Sequence, residues 1–241
     1  MSRTFVLIHG AWHDGSMLEP LAQQLRAVGH TCFVPTLLGN RAGDDRSCIG
    51  FHDVVKDLAL QIQRQNLQNF YLLGHSFGGM VISQLAQIMP GRIKGLIYCS
   101  AFVPKNGECV FDLLPLDFIA DFYKQAQCNS GELRLSFASW RTLFTNETPA
   151  ALAKSLFKRL NAQAFGTFKQ PVVLNTELNE IPINKWVILP LQDISLPKEK
   201  NWHPYFSSRL GDFKLLNMAG DHELIATQAH QLAQVVSLAI N

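Results

Sequence analysis

The chain is predicted to be an α/β protein whose mainly parallel sheet is covered by helices on both faces and interrupted by a helical insertion. Three observations predict this class. Apolar runs alternate with helix-period segments up to Pro104, the alternation then stops, and it returns at Trp186. Alternating strands and helices typically fold as a parallel sheet between helical layers. We therefore expect a core formed by residues 1–104 and 183–241, and a helical cap formed by residues 105–182.

The first half of the core contains recognisable strands and helices in alternation. Phe5–Ile8 is a short, continuous apolar run, which is typical of a buried strand. Ser16 and Glu19 have the spacing of a capping box, which predicts a helix that runs to about Val28 and ends at Gly29. The following segments predict a strand at 31–35, a helix at 51–66, a strand at 70–73, a helix at 80–89 and a strand at 93–100.

The middle of the chain has a different composition. Residues 105–182 contain half of the 16 phenylalanines and no clear strand with turn signals at both ends, so they are interpreted as several amphipathic helices. The alternation then resumes, with a strand predicted at 186–191, a helix at 198–210, a strand at 213–218 and a last helix at 223–240.

Composition, net charge and cysteine content limit the classes of protein to which this chain can belong. The 241 residues are 47% hydrophobic and 17% charged, as expected for one globular enzyme domain. A net charge of +2 without Lys/Arg clusters argues against nucleic-acid and membrane partners. No apolar stretch approaches the roughly 18 residues of a membrane span. Five scattered cysteines and a strand that begins near Thr4, which leaves no room for a signal peptide, predict a cytoplasmic protein.

The strongest chemical signal is the sequence Gly-His-Ser-Phe-Gly at residues 74–78, which directly follows the apolar run Phe70–Leu73. This is the G-x-S-x-G pattern, in which a serine lies on a tight turn between a strand and a helix. Because β-type residues precede the motif and a helical pattern follows it, Ser76 is predicted to be a catalytic nucleophile. A plain turn serine is the alternative.

A general base is expected late in the chain, because in this arrangement the acid and then the histidine follow the serine. His222 comes after a predicted strand and directly before the last helix, so it is the predicted base. His203 and His230 lie inside predicted helices and fit less well. A structural loop histidine is the alternative for His222.

The acid that orients the base is predicted to be Asp193. It follows the strand predicted at 186–191, where a carboxylate accepts the Nδ1–H of the histidine and stabilises the imidazolium. Asp221 is too close to His222 in sequence to fold back easily, and Asp212 lies at the wrong end of a strand.

An oxyanion hole is predicted from two backbone amides. His-Gly-Ala-Trp at residues 9–12 follows the first strand, and Gly10 allows a bound carbonyl to approach the backbone closely. The amides of Ala11 and of Phe77, the residue after the serine, are expected to converge on a negatively charged oxygen.

Several segments together resemble a known group of enzymes. Residues 6–13, 74–80 and 101–104 resemble the plant methylesterase and hydroxynitrile lyase branch of the α/β-hydrolases. Residues 39–46, 202–204 and 221–224 are similar to bacterial carboxylesterases of the pyrethroid-hydrolysing type. The resemblance covers nearly the whole chain and is weakest in the cap. It implies the same catalytic and oxyanion residues, a small hydrophobic pocket under the cap, and no cofactor. No metal is expected either, because no His/Cys/Asp cluster has metal-ligand spacing.

The sequence therefore predicts a serine carboxylesterase for small hydrophobic esters. A hydroxynitrile lyase on the same scaffold is one alternative. The resemblance implies that lyases of the plant branch have a threonine at the position of Gly10 and a lysine at the position of Glu223. A binding protein or receptor with a vestigial set of catalytic residues is the second alternative.

Overall fold

The computed structural model describes residues 1–240, and its main feature is a parallel sheet of six strands. Residues 1–240 contain eight strands, which are β1 (Thr4–Ile8), β2 (Thr31–Phe33), β3 (Phe70–His75), β4 (Ile93–Cys99), β5 (Glu132–Leu133), β6 (Gln163–Ala164), β7 (Asn184–Pro190) and β8 (Lys214–Met218). The order in the large sheet is β2-β1-β3-β4-β7-β8. The predicted parallel α/β fold is confirmed.

Ten α-helices, several of them only one turn long, occur in the described part of the chain. They are α1 (Glu19–Ala27), α2 (Phe51–Arg64), α3 (Gly78–Ile88), α4 (Val110–Leu113), α5 (Leu116–Cys128), α6 (Phe137–Ser139), α7 (Ala150–Phe157), α8 (Gly166–Lys169), α9 (Leu224–Thr227) and α10 (Ala229–Ala239). Within residues 1–240, no helix combines the length and the apolar character that crossing a bilayer requires.

The hydrophobic core consists of one layer on each face of the sheet. Side chains along β1 alternate between the faces, so Phe5 and Leu7 pack in one layer while Val6 and Ile8 pack in the other. The first layer is completed by α1 and α10, and the second by α2 and α3. Continuous apolar strands are expected when both faces of a sheet are covered.

The turn between β3 and α3 brings backbone segments unusually close together. A Cβ atom on Gly74 would lie 2.6 Å from the carbonyl oxygen of Gly78, and one on Gly79 would lie 2.2 Å from that of Phe102. No other residue fits at these positions without moving the backbone. Glycine is therefore required for α3 to begin directly against the strands.

The order of strands creates a crevice at one end of the sheet. From β1 the chain moves outward to β2, whereas β3 lies on the opposite side of β1. The carboxyl ends of β1 and β3 are therefore neighbours at the point where the winding reverses. In open parallel sheets, ligands bind in this position.

The start of α1 differs from the predicted capping box. Asp14, not Ser16, caps the helical run: its Oδ1 accepts a hydrogen bond of 2.8 Å from the Ser16 amide. A short 3₁₀ turn over Gly15–Met17 precedes α1. The helical run therefore begins before Ser16, and the backbone amide that needs a capping acceptor is that of Ser16 itself. Gly29 has a φ of 90°, as predicted for the residue that ends the helix.

Two predicted helices are divided. Residues 198–210 form three short turns and not one helix, because His203 precedes a proline and adopts an extended φ of −145°. The last helix is interrupted at Gln228, whose φ of −131° separates α9 from α10.

The segment 105–182 contains a short antiparallel pair in addition to helices. Strands β5 and β6 pair through Glu132 with Ala164 and Leu133 with Gln163, although no strand was predicted there. Each strand has only two residues, so it has no apolar alternation that a sequence pattern can reveal.

Candidate active site

Ser76 is held in the turn between β3 and α3 by backbone hydrogen bonds. Its φ is 53°, in the left-handed region that non-glycine residues rarely adopt. The Ser76 amide donates to the carbonyl oxygens of Cys99 (3.2 Å) and Ser100 (3.1 Å), and its carbonyl oxygen accepts from the Phe102 amide (3.1 Å). The loop after β4 therefore holds the strained turn, and the serine side chain is 9% exposed at the carboxyl end of the sheet.

Asp193 and His222 form a buried pair on the loops after β7 and β8. Asp193 Oδ2 lies 2.8 Å from His222 Nδ1, and both side chains are almost completely buried. Burial by itself lowers the pKa of His222, but the charge and hydrogen bond of Asp193 outweigh it and raise this pKa above its usual value. Burial favours the neutral form of Asp193, yet the charge of His222 and the hydrogen bonds it accepts lower its pKa. The carboxylate is therefore ionised.

Two further residues donate hydrogen bonds to the oxygens of the Asp193 carboxylate. Ser195 donates to Oδ1 from its amide (2.9 Å) and from its hydroxyl (2.6 Å), and Trp202 Nε1 donates to Oδ2 (2.7 Å). The Trp202 ring also stacks on the imidazole of His222, with centroids 5.6 Å apart. Because Nδ1 of His222 faces the carboxylate, its Nε2 is the nitrogen left to act on a neighbouring group.

The loop after β1 is held in place by the side chain of His9 and by Gln163 of the inserted segment. His9 Nε2 accepts from the Leu37 amide at 3.0 Å, and its Nδ1 donates to the Gly10 carbonyl at 2.8 Å. Burial lowers the pKa of His9 to about 4, so this histidine is neutral. The Trp12 amide donates to Gln163 Oε1 at 3.1 Å. None of the hydrogen bonds within residues 1–240 uses the Ala11 amide, which stays available to a bound group.

One pocket brings the predicted residues together. Ala11, Ser76, Phe77 and His222 all line it, and Asp193 lies behind His222. Aromatic rings form much of its wall: Trp12, Phe102, Phe118, Phe122, Phe144 and Phe168. The cavity between these residues has a volume of about 40 Å³. The pocket is therefore small.

Asp221, the rejected candidate for the acid, has a different set of contacts. Its Oδ2 accepts from the amides of Glu147 (3.1 Å) and Thr148 (2.8 Å) and from the Thr148 hydroxyl (2.7 Å). These donors belong to the inserted segment. Asp221 therefore anchors that segment to the loop that carries His222.

His75, His222 and Glu223 are the only group of three potential metal ligands that residues 1–240 bring together, with ligand atoms within 4.8 Å of one another. The sequence suggested no such group, because the residues come from two distant parts of the chain. Two of the imidazole nitrogens are already engaged, since His222 Nδ1 faces Asp193 and His75 Nε2 donates to the His222 carbonyl at 3.0 Å.

Sequence reasoning missed the residues that position the site. They are Ser195 and Trp202 on Asp193, Gln163 on the loop after β1, and Asp221 and Glu223 on either side of His222. Trp202 had a partial signal, because it lies in one of the segments that resemble bacterial esterases. Ser195 contacts Asp193 two residues away, but no motif marks it. The contacts of Gln163, Asp221 and Glu223 join distant segments.

Comparison with known proteins identifies the family. Residues 5–234 match the alpha/beta hydrolase family. The chain belongs to this family. A solved extracellular α/β-hydrolase from a Paenibacillus species, described as sharing structural and functional homology with tobacco salicylic acid binding protein 2, has a TM-score of 0.92 and 30% identity over 98% of both chains. The resemblance predicted from the sequence is confirmed at the level of the family.

The alpha/beta hydrolase relatives include enzymes with different names. A carbendazim hydrolyzing esterase from Nocardioides sp. is 38% identical over 46% of this chain and 47% of its own length. A pyrethroid hydrolase from Sphingobium wenxiniae is 36% identical over 42% of this chain and 37% of its own. This chain thus spans less than half of either esterase. An alpha-hydroxynitrile lyase from Arabidopsis thaliana is 31% identical over 76% of this chain and 83% of its own length.

The contacts of the two aspartates predict different effects of substitution. Asp193→Asn is expected to lower kcat by up to about 10⁴, because the amide no longer fixes the tautomer of His222. Asp221→Asn is expected to lower the free energy of unfolding by about 1–3 kcal/mol, because one acceptor of a buried network is lost, and to reduce kcat far less. Ester turnover and urea unfolding of both variants test this. Crippled turnover in Asp221→Asn with an active Asp193→Asn would show that the acid is misassigned.

The pKa of His222 predicts the pH dependence of activity. A base must be neutral to accept a proton, and Asp193 raises the pKa of His222 above 6.5. The value of kcat/KM is therefore expected to rise with pH through a midpoint above 6.5. Initial rates between pH 5 and 8 measure it. A midpoint well below 6.5 would mean that Asp193 does not stabilise the protonated histidine.

Proposed function

We propose that this protein is a serine carboxylesterase in which Ser76 is the nucleophile, His222 the general base and Asp193 the acid that orients it. The observation that carries the proposal is the 2.8 Å contact between Asp193 Oδ2 and His222 Nδ1, behind a pocket that Ser76 and His222 both line. A base oriented by a buried carboxylate beside a serine on a strained turn is the arrangement that acyl transfer requires.

The first half of the reaction forms an acyl-enzyme. Nε2 of His222 accepts the Ser76 hydroxyl proton while Oγ attacks the ester carbonyl carbon, and Asp193 stabilises the resulting imidazolium. The amides of Ala11 and Phe77 donate hydrogen bonds to the negatively charged oxygen of the tetrahedral intermediate. When the intermediate collapses, the bond to the alkoxy group breaks and His222 gives its proton to the departing alcohol.

The second half releases the acid and restores the enzyme. His222 takes a proton from a water molecule, whose oxygen attacks the carbonyl carbon of the acyl-enzyme. The same two amides stabilise the second tetrahedral intermediate. The bond to Ser76 Oγ then breaks, His222 returns the proton to that oxygen, and the carboxylic acid leaves.

The pocket supports a small, neutral and apolar ester as the substrate. Among the described residues, no Asp, Glu, Lys or Arg lines it, so a charged group entering the pocket loses hydration without gaining a partner. Aromatic walls favour an apolar acyl or alcohol group. The small open volume favours short groups, because larger ones require the rings to move.

Two further proposals concern the setting of this reaction. The division into a core of residues 1–104 and 183–241 and a cap of residues 105–182 is supported by the pocket, to which both parts contribute side chains. A cytoplasmic location is supported by five cysteines that are all unpaired.

Ser76→Ala is expected to abolish ester hydrolysis, with a loss in kcat on the order of 10⁵–10⁶, because the three residues act as a unit. Turnover of p-nitrophenyl acetate measures this, and the wild-type rate is expected to survive EDTA because no step uses a metal. A variant that retains a tenth of the activity would remove Ser76 from the mechanism. Binding without turnover by the wild-type protein would support a receptor instead.

Phe118→Ala is expected to widen the pocket without disturbing the base. The substitution should raise kcat/KM for p-nitrophenyl hexanoate relative to the acetate by about tenfold, because the space it opens takes about two of the four additional CH₂ groups, each contributing about 0.8 kcal/mol. Phe137→Ala is the matched control, because Phe137 is 42% exposed and packs on Phe157. Equal chain-length profiles in the two variants would show that Phe118 does not limit the acyl or alcohol group.

A hydroxynitrile lyase is the second candidate, because the Arabidopsis lyase aligns over most of both chains. Cyanohydrin cleavage needs a hydroxyl that holds the substrate oxygen and a cation beside departing cyanide. Gly10 supplies no hydroxyl and Glu223 no cation. Burial raises the pKa of Glu223 to about 8, so at pH 7 this residue is mainly neutral, and the missing hydroxyl and the missing cation together disfavour the lyase.

The two activities can be compared directly. Hydrolysis of p-nitrophenyl acetate is expected to exceed cleavage of mandelonitrile under the same conditions, because two amide donors suit a tetrahedral oxyanion. Cyanide release from mandelonitrile and nitrophenolate release from the ester measure the two rates. Faster cyanide release would replace the esterase proposal with the lyase.

A further inference from the structure

Glu223 is a buried carboxyl group directly next to the proposed base. Its side chain is completely buried, and neither of its oxygens has a hydrogen-bond partner within residues 1–240. Oε1 lies 3.5 Å from Nε2 of His13, and ligand atoms of His75 and His222 lie within 4.8 Å. A carboxyl group in such a place costs free energy unless it is neutral or paired. The reaction proposed above does not use it.

Comparison of three buried carboxyl groups shows which one holds a proton. Asp193 accepts four hydrogen bonds, from Ser195 (two), Trp202 and His222. Asp221 also accepts four, from Glu147, Thr148 (two) and Glu223. Such donors stabilise an anion, and Glu223 has none.

The pKa of Glu223 agrees with that comparison. Burial raises this pKa to about 8, and the charges of Asp221 and Asp193 add to the effect, while His222 opposes it. At neutral pH the proton is therefore mainly on Glu223, and it is lost within the range in which an enzyme is ordinarily assayed.

The other groups around Glu223 do not supply a fixed positive charge. Burial lowers the pKa of His13 and of His75 well below the usual value, so both rings are neutral at pH 7. Burial also raises the pKa of the nearby Cys99 thiol, which stays protonated. Arg159 is a cation whose charge lowers the pKa of His13, but it hydrogen-bonds to Ser16 at the surface.

We propose that Glu223 is a positioning residue that stores a proton beside His222 and, once ionised, provides a second carboxylate that stabilises the imidazolium formed during ester hydrolysis. The proposal rests on the function proposed above. At neutral pH the Glu223 carboxyl donates its proton toward the neutral Nε2 of His13. As the pH rises, the proton leaves to solvent hydroxide. His222 then carries its charge between two carboxylates, Asp193 and Glu223.

This arrangement predicts an activity that rises with pH in two steps. The first step is the loss of the proton from the Asp193–His222 pair. The second is the ionisation of Glu223, which makes it easier for His222 to take the Ser76 proton. An opposite charge within about 4–6 Å shifts a pKa by 1–3 units, so the second step should raise kcat on the order of tenfold.

The test is the dependence of kcat on pH from 6 to 10 for the wild-type protein, Glu223→Gln and the matched control Glu180→Gln. Glu180 is exposed and remote from the pocket. Hydrolysis by Ser76→Ala is subtracted as the background. The wild-type protein and the control should both show two steps, whereas Glu223→Gln should reach a plateau after the first. A single step in the wild-type protein, or two steps in Glu223→Gln, would overturn the proposal.

The experiment distinguishes a failure of the Glu223 proposal from a failure of the proposed function. If Ser76 is not the nucleophile, Ser76→Ala keeps its activity, whatever the shape of the Glu223→Gln profile. If Glu223→Gln does not fold, infrared difference spectra of the Ser76→Ala protein provide the second measurement. The C=O stretch of a buried, protonated carboxyl should be present at pH 6.5 and lost by pH 9.5. Its absence at pH 6.5 would show that Glu223 is ionised throughout.

Discussion

The close approach of backbone segments around Ser76 is the constraint on which the rest of this structure depends. Glycines at positions 74, 78 and 79 allow an approach that a single Cβ atom would prevent, since a Cβ on Gly78 would lie 2.7 Å from the Ile8 carbonyl oxygen. Because α3 begins so close to β1 and β4, the loops after these strands are held against the turn. The same contacts keep Ser76 in a left-handed conformation, with its hydroxyl at the carboxyl end of the sheet.

The inserted segment holds the two loops that carry the proposed acid and base. Asn146 donates to the carbonyl of Gln192, beside Asp193, while Thr148 donates to Asp221, beside His222. The Gln192 amide in turn donates to the Gly220 carbonyl at 3.0 Å. The two loops that carry the proposed acid and base are thus joined to each other and to the segment above them. These hydrogen bonds explain how the aromatic residues of the pocket and the Asp193–His222 pair keep their relative positions although they come from distant parts of the chain.

Much of the fold was predictable because its signals are local. The elbow motif and the order of serine, acid and histidine also predict Ser76, Asp193 and His222 as catalytic residues without any knowledge of contacts, and the structure brings these three residues together. The capping residue of α1 was predicted wrongly because Ser16 and Asp14 both fit a local pattern, and only the 3₁₀ turn decides between them. The helix expected at 198–210 failed because a proline constrains His203, an effect that the apolar spacing hides.

Sequence patterns did not reveal the partners of Asp221 and Glu223, because each depends on a long-range contact, such as Thr148 on Asp221 or His13 beside Glu223. The indole of Trp202 reaches Asp193 across nine residues, and only the family resemblance pointed to it. Glu223 lies directly before α9, where the helix dipole favours a carboxylate anion. Its complete burial without a donor instead supports the protonated form on which the proposal above rests.

Covalent labelling tests the central claim most directly, because a fluorophosphonate reacts far faster with a serine that a base activates than with other side chains. Wild-type protein treated with such a reagent and analysed by peptide mass spectrometry should carry one label, on the peptide that contains Ser76. Asp193→Asn should be labelled far more slowly, and Ser76→Ala should not be labelled. Label on a different residue, or equal rates in the wild-type protein and Asp193→Asn, would contradict the account.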